Sequence, residues 1–173
     1  VDMILASCKQ RGCKLQELRL ISNSITSAGA HKISELTTCS PHLRCLDLEL
    51  NPIADGITPK VLQNCANSLR ELCANGCKLG PLGIASLLTP DLRALTALSI
   101  SSNELGDLGA TTVARFLLRH GGRTLEELCM DNNGIEEAGA LELAKGLAGS
   151  YPRGAFFAET NFGGVRTTEH ICE

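Results

Sequence analysis

Leu15-Gln-Glu-Leu18-Arg-Leu20-Ile-Ser-Asn23-Ser-Ile25 is the stretch from which the rest of the chain can be read. Its apolar residues fall at the first, fourth, sixth and eleventh places, and an amide stands at the ninth. The same spacing returns at Leu43, Leu46, Leu48, Asn51, Ile53, at Leu95, Leu98, Ile100, Asn103, Leu105, and at Leu125, Leu128, Met130, Asn133, Ile135. A variant with Leu69, Leu72, Ala74, Cys77 and Leu79 lies between them. Five tandem copies of a pattern this specific mean a stack of similar units, none of which can bury its own apolar face.

The copies start at residues 15, 43, 69, 95 and 125, a spacing of 26 to 30 residues. That length predicts a helix in every return from one strand to the next. Three returns carry the pattern of one: Ser27 to Leu36, Asp107 to Leu117 and Glu137 to Leu147 each open with small residues and continue with apolar residues at helical spacing. On the strands side chains alternate, so the fourth and sixth places face the core while the third, fifth and seventh face outward.

The five copies, the x-x-Gly-Ala opening of the returns and the run Cys13-Lys-Leu-Gln-Glu-Leu-Arg-Leu20 resemble the ribonuclease-inhibitor-like subfamily of leucine-rich repeats. The resemblance implies an α/β fold, a right-handed curved solenoid with parallel strands on the concave face and helices on the convex one. Residues 1–165 are expected to form this domain: the helix of a truncated copy over Val1 to Gly12, five clear copies, and a degenerate last copy. Two registers fit that last strand, one with Phe156 in the leucine column and one with Ala155 and Ala158 there. Residues 166–173 form a tail.

The ninth-place column, Asn23, Asn51, Cys77, Asn103 and Asn133, reads as structural, since an amide can donate to and accept from backbone groups that a turn leaves unpaired. The outward places read differently. Glu17, Glu71 and Glu127 stand third, Asp47 fifth, Glu49 and Asp131 seventh, against the single base Arg19, so six acids face one base. Phe157 and Glu159 continue that face in either register. Cys45, Cys73 and Cys129 also point outward, and Ile21, Leu50 and Phe162 are candidate apolar anchors.

A net charge of −3 and a pI near 5.8, with no run of Lys or Arg, argue against nucleic acid as a partner. No apolar window reaches membrane-spanning length. The nine cysteines are an odd number, which suits a reducing cytosol or nucleus, and their spacing matches no zinc knuckle. The four histidines are dispersed, none paired by the pattern with a nucleophile, and Gly121-Gly122-Arg123-Thr124 lacks the Lys-Ser/Thr of a phosphate loop. No metal, cofactor or catalytic group is expected.

The expected function is a non-enzymatic protein-recognition module, part of a larger intracellular protein, that receives a basic partner on its acidic concave face. The subfamily resemblance also admits a GTPase-activating protein of the Ran type, and the architecture alone admits an assembly or cytoskeletal spacer. The first strand, from Leu15 to Leu20, would leave an edge open to self-association in a fragment cut there, unless earlier copies cover it.

Overall fold

The computed structural model describes residues 13–57, 59–119 and 124–150, with Met3, Ala6 and the backbone of Phe156 and Phe157. The tail 166–173, Glu159, Phe162 and the side chain of Phe157 lie outside the described residues. Met3 and Ala6 are helical, and the rest of the expected Val1 to Gly12 helix lies outside the described residues.

Among the described residues six short strands, β1 (Glu17–Arg19), β2 (Cys45–Asp47), β3 (Glu71–Cys73), β4 (Ala97–Ser99), β5 (Glu127–Cys129) and β6 (Phe156–Phe157), form one parallel sheet in sequence order. Their register aligns the fourth places, so Leu18, Leu46, Leu72, Leu98, Leu128 and Phe156 stand side by side. Phe156 thus occupies the leucine column, which decides between the two registers of the last strand. Leu43, Leu69, Leu95 and Leu125, with Leu48, Ala74, Ile100 and Met130, form the neighbouring rows of one continuous buried core.

The returns place α1 (Ser27–Thr38), α2 (Pro81–Leu87), α3 (Gly106–Arg119) and α4 (Glu137–Ser150) on the other side of that core, with α2, α3 and α4 packed in succession. The expectation of a helix in every return is wrong for the second, which holds only two 3-10 turns, Ala54–Gly56 and Pro59–Leu62. Two residues account for this. Pro59 cannot sit within a helix interior. The helical returns place Gly29, Gly83, Gly109 and Gly139 six residues after the ninth place, where the second return has Ile57. At Gly139 a Cβ would come 2.8 Å from the Asp107 Cα, so the close approach that seats such a helix excludes a larger residue.

The turns after the strands are of two kinds, and they alternate. Every copy has a left-handed residue just before the ninth place: Ser22, Leu50, Gly76, Ser102 and Asn132. A second left-handed residue follows one place after the column in copies one, three and five, at Ser24, Lys78 and Gly134. In copies two and four it follows three places after, at Ala54 and Gly106.

Hydrogen bonding alternates with it. The amide oxygen of Asn51 accepts the N–H groups of Asn23 and Ile25 at 3.0 and 2.9 Å, and that of Asn103 accepts those of Cys77 and Leu79, both at 3.0 Å. In even copies the left-handed residue donates instead to a backbone carbonyl, Ala54 to Cys77 and Gly106 to Asn133, each at 2.9 Å. The side-chain oxygen of Asn133 accordingly has no partner, while its amide nitrogen donates to Ile100, Met130 and Asp131. A cysteine at position 77 therefore forfeits no acceptor that its neighbour requires, and its thiol donates to the Leu48 carbonyl at 3.1 Å.

Asn23 stands in the first described copy, and its amide donates to the Ile21 carbonyl at 2.9 Å.

A candidate recognition face on the concave sheet

The strand register turns the outward places into rows. Glu17, Cys45, Glu71, Ala97 and Glu127 form one, and Arg19, Asp47, Cys73, Ser99, Cys129 and Phe157 the next. Four of the six predicted acids, Glu17, Glu71, Glu127 and Asp47, thus stand on these two rows, and Glu49 and Asp131 follow just beyond the ends of β2 and β5. Glu71 and Glu127 flank Ala97, one strand away on either side, so they stand about 10 Å apart at the backbone. Between them the small side chains of Ala97 and Ser99 leave a depression of about 350 Å³ that Asp47, Cys73 and Arg19 also line.

The acids are not equivalent. Glu17, Glu71 and Glu127 are exposed, while Asp47, Glu49 and Asp131 are half-buried. Asp47 accepts the N–H of Glu49 at 3.0 Å, and Glu49 accepts the Cys73 thiol at 3.6 Å. Asp131 belongs to a polar chain: Asn75 accepts from the Ser99 hydroxyl at 2.9 Å and the Ser101 N–H at 2.7 Å, and Ser101 meets Asp131. These bonds tie Asp47, Glu49 and Asp131 to their neighbours, whereas the third-place acids are exposed, Glu127 accepting, among the described residues, only the Cys129 thiol at 3.8 Å. The lone base is engaged too, since Arg19 lies 3.4 Å from Glu17.

The cysteines point outward as expected, but Cys45 is buried by its neighbours and Cys73 and Cys129 are half-buried. Desolvation, reinforced by Asp47 and Glu49, pushes Cys73 up to about 12 despite an opposing backbone hydrogen bond. Cys45 is raised by burial and by Glu71, and Cys129 by burial, Glu127 and Asp131. A thiol held above its usual range stays protonated at neutral pH, so these are inert as nucleophiles. Asp47, Glu49 and Cys73 do bring one donor atom each within 4.8 Å of one another, a grouping from two strands that spacing along the chain could not disclose.

Comparison with known proteins meets the same architecture. The leucine-rich repeat family model matches residues 39–57 and 92–114. The chain is 32% identical over 156 residues to human NACHT, LRR and PYD domains-containing protein 5, covering 87% of this chain and 13% of that protein. It is 32% identical over 180 residues to pig ribonuclease inhibitor, covering 85% of this chain and 39% of the inhibitor. Human protein NLRC5 is 32% identical over 139 residues, 7% of its length. The chain is a leucine-rich repeat array of the ribonuclease-inhibitor-like kind. It spans less than half the length of each of these relatives.

Two features of the array were missed in the sequence. Leu82 and Leu108, 72% and 73% exposed, occupy the same place in consecutive copies, five residues after the ninth-place column, in the first turns of α2 and α3. Asp55 and Asp107 also share a place, four residues after the column in the even copies. Each caps the return of the following copy: Asp55 accepts the N–H groups of Gly80 and Gly83 at 2.9 and 2.7 Å, and Asp107 accepts that of Glu136 at 2.8 Å. The signal was present, since both acids stand at one offset in alternate copies, but it is visible only when copies are compared two apart. Ile21 and Leu50, expected as apolar anchors, are exposed at the strand-exit rim.

Proposed function

We propose that the leucine-rich repeat array is a non-enzymatic recognition module of an intracellular protein, and that its concave sheet receives a basic protein segment. The observation that carries this reading is the pair Glu71 and Glu127, both exposed, in register on either side of Ala97 over a hollow of small residues. A cationic side chain entering there meets two carboxylates, and Arg19, the one base that lines the hollow, lies 3.4 Å from Glu17. Cys45 and Cys73, whose thiols burial holds above their usual range, line the hollow between the acids. The relatives named for ribonuclease inhibition are compatible with this use of the face.

The test is equilibrium binding of two probes, pancreatic ribonuclease and an arginine-rich peptide, at low and high salt. Binding that weakens with salt, and that falls at least about tenfold on joint charge reversal of Glu71→Lys and Glu127→Lys, supports the reading. Undiminished binding by the reversed variant, or no binding to either probe, overturns it.

A further inference from the structure

We propose that the strand-entry edge of the sheet is a docking surface on which Arg44, Arg70 and Arg93 take an extended acidic protein segment laid across the strands. The second place of each copy stands just before the strand, and there the backbone keeps a ladder of its own. The Gln16 carbonyl accepts the N–H groups of Arg44 and Cys45 at 2.7 and 3.0 Å. The Arg44 carbonyl accepts those of Arg70 and Glu71 at 2.8 and 2.9 Å, and the Arg70 carbonyl those of Thr96 and Ala97 at 2.8 and 2.9 Å. These bonds carry the register one residue ahead of β2 and β3, so Arg44 and Arg70 stand side by side, about 4.8 Å apart at the backbone. Arg93 lies in the loop that enters β4.

All three arginines are exposed, and among the described residues none of them forms an ion pair. Arg44 and Arg70 belong to β2 and β3, each of which has a strand on either side. Like charges directly beside each other repel, and an anion set between them is drawn to both. The three side chains also stand apart from the concave hollow, since none of them lines it.

The arginine fork bonds carboxylates and phosphates alike, two oxygens at a time. The surroundings select the carboxylates of a single extended chain. Glu71, next after Arg70, and Glu17 and Glu127 on the same row are exposed, so a duplex broad enough to cover the edge would lay phosphates against acids. The basic row is also short: Thr96 takes the second place in the fourth copy and Glu126 in the fifth, leaving too few cations for the phosphate contacts that give a duplex its affinity. Along an extended peptide, acids one or two residues apart are separated by about 3.4 or 6.8 Å, which brackets the spacing of the two neighbouring forks. The proposal does not depend on the concave face binding a basic partner.

The experiment is fluorescence anisotropy of a labelled peptide of alternating Glu and Ala residues, titrated with the whole chain at low and high salt. Wild type is expected to bind, and more weakly as salt rises. Arg44→Glu with Arg70→Glu is expected to weaken binding at least about tenfold, and the milder Arg44→Gln with Arg70→Gln roughly threefold. Lys78→Glu with Arg115→Glu makes the same change of charge at exposed residues in the turn after β3 and on α3, and is expected to leave binding within about twofold of wild type. Glu71→Lys with Glu127→Lys should not diminish it, which separates this edge from the concave face. No binding by wild type, equal losses in the two glutamate pairs, or tighter binding of a single-stranded oligonucleotide of equal charge overturns the proposal.

Discussion

In the first and third copies the backbone N–H groups leaving the strand turn toward an amide oxygen lent by the next copy, Asn51 or Asn103. In the second and fourth copies the chain turns left-handed two residues later and reaches a backbone carbonyl instead. The odd turns therefore depend on the identity of a neighbour's side chain, and the even turns do not. Tolerance to substitution follows that dependence: cysteine stands at position 77, where only donation is required, and asparagine at 51 and 103, where both donation and acceptance are.

The sharpest way to break this comparison is at the column itself. Asn103→Ala removes five hydrogen bonds, two accepted and three donated, and is expected to cost about 3 kcal/mol in urea unfolding. Asn133→Ala removes three donated bonds and is expected to cost roughly 1–2 kcal/mol. Equal losses would show that the alternation carries no energetic weight.

Next comes the cap that even copies provide to odd ones. Asp55→Ala leaves two helix-terminal N–H groups unpaired and should cost about 1–2 kcal/mol, while Asp107→Ala leaves one and should cost about 1 kcal/mol. Thermal denaturation in parallel checks the order. A smaller effect is expected of Ala54→Gly. Ala54 is left-handed at the place where copy four has Gly106, so removing its Cβ should stabilise by about 0.5–1 kcal/mol; a loss of stability would mean that its conformation is not strained. The smallest is Cys77→Asn, expected to lie within about 0.5 kcal/mol of wild type by urea midpoint, since the new acceptor would find no donor.

The leucine columns, the strand starts and the outward rows were legible in the sequence because one side-chain period of two repeats unchanged through every copy. The long returns were legible for the same kind of reason, at helical spacing. The second return was not. Its length argued for a helix, and only Pro59 with Ile57 in the glycine place argued against one. Which acids stand exposed was also illegible, because the bonds that fix Asp47, Glu49 and Asp131 come from Cys73, Ser101 and main-chain groups whose proximity depends on the register between strands. The inertness of Cys73 follows from the same crowding.

The two-residue shift of the left-handed position also bears on how such a chain can change length. Copies one and three begin 54 residues apart and copies three and five 56, so one full cycle of turn types spans two copies. Excising the second copy alone would bring Cys77 against the turn of the first copy, whose Asn23 and Ile25 N–H groups would then meet no amide oxygen. Deletion of the second and third copies together would instead set Asn103 opposite those N–H groups, so a shortened array that loses the second copy should lose its neighbour with it.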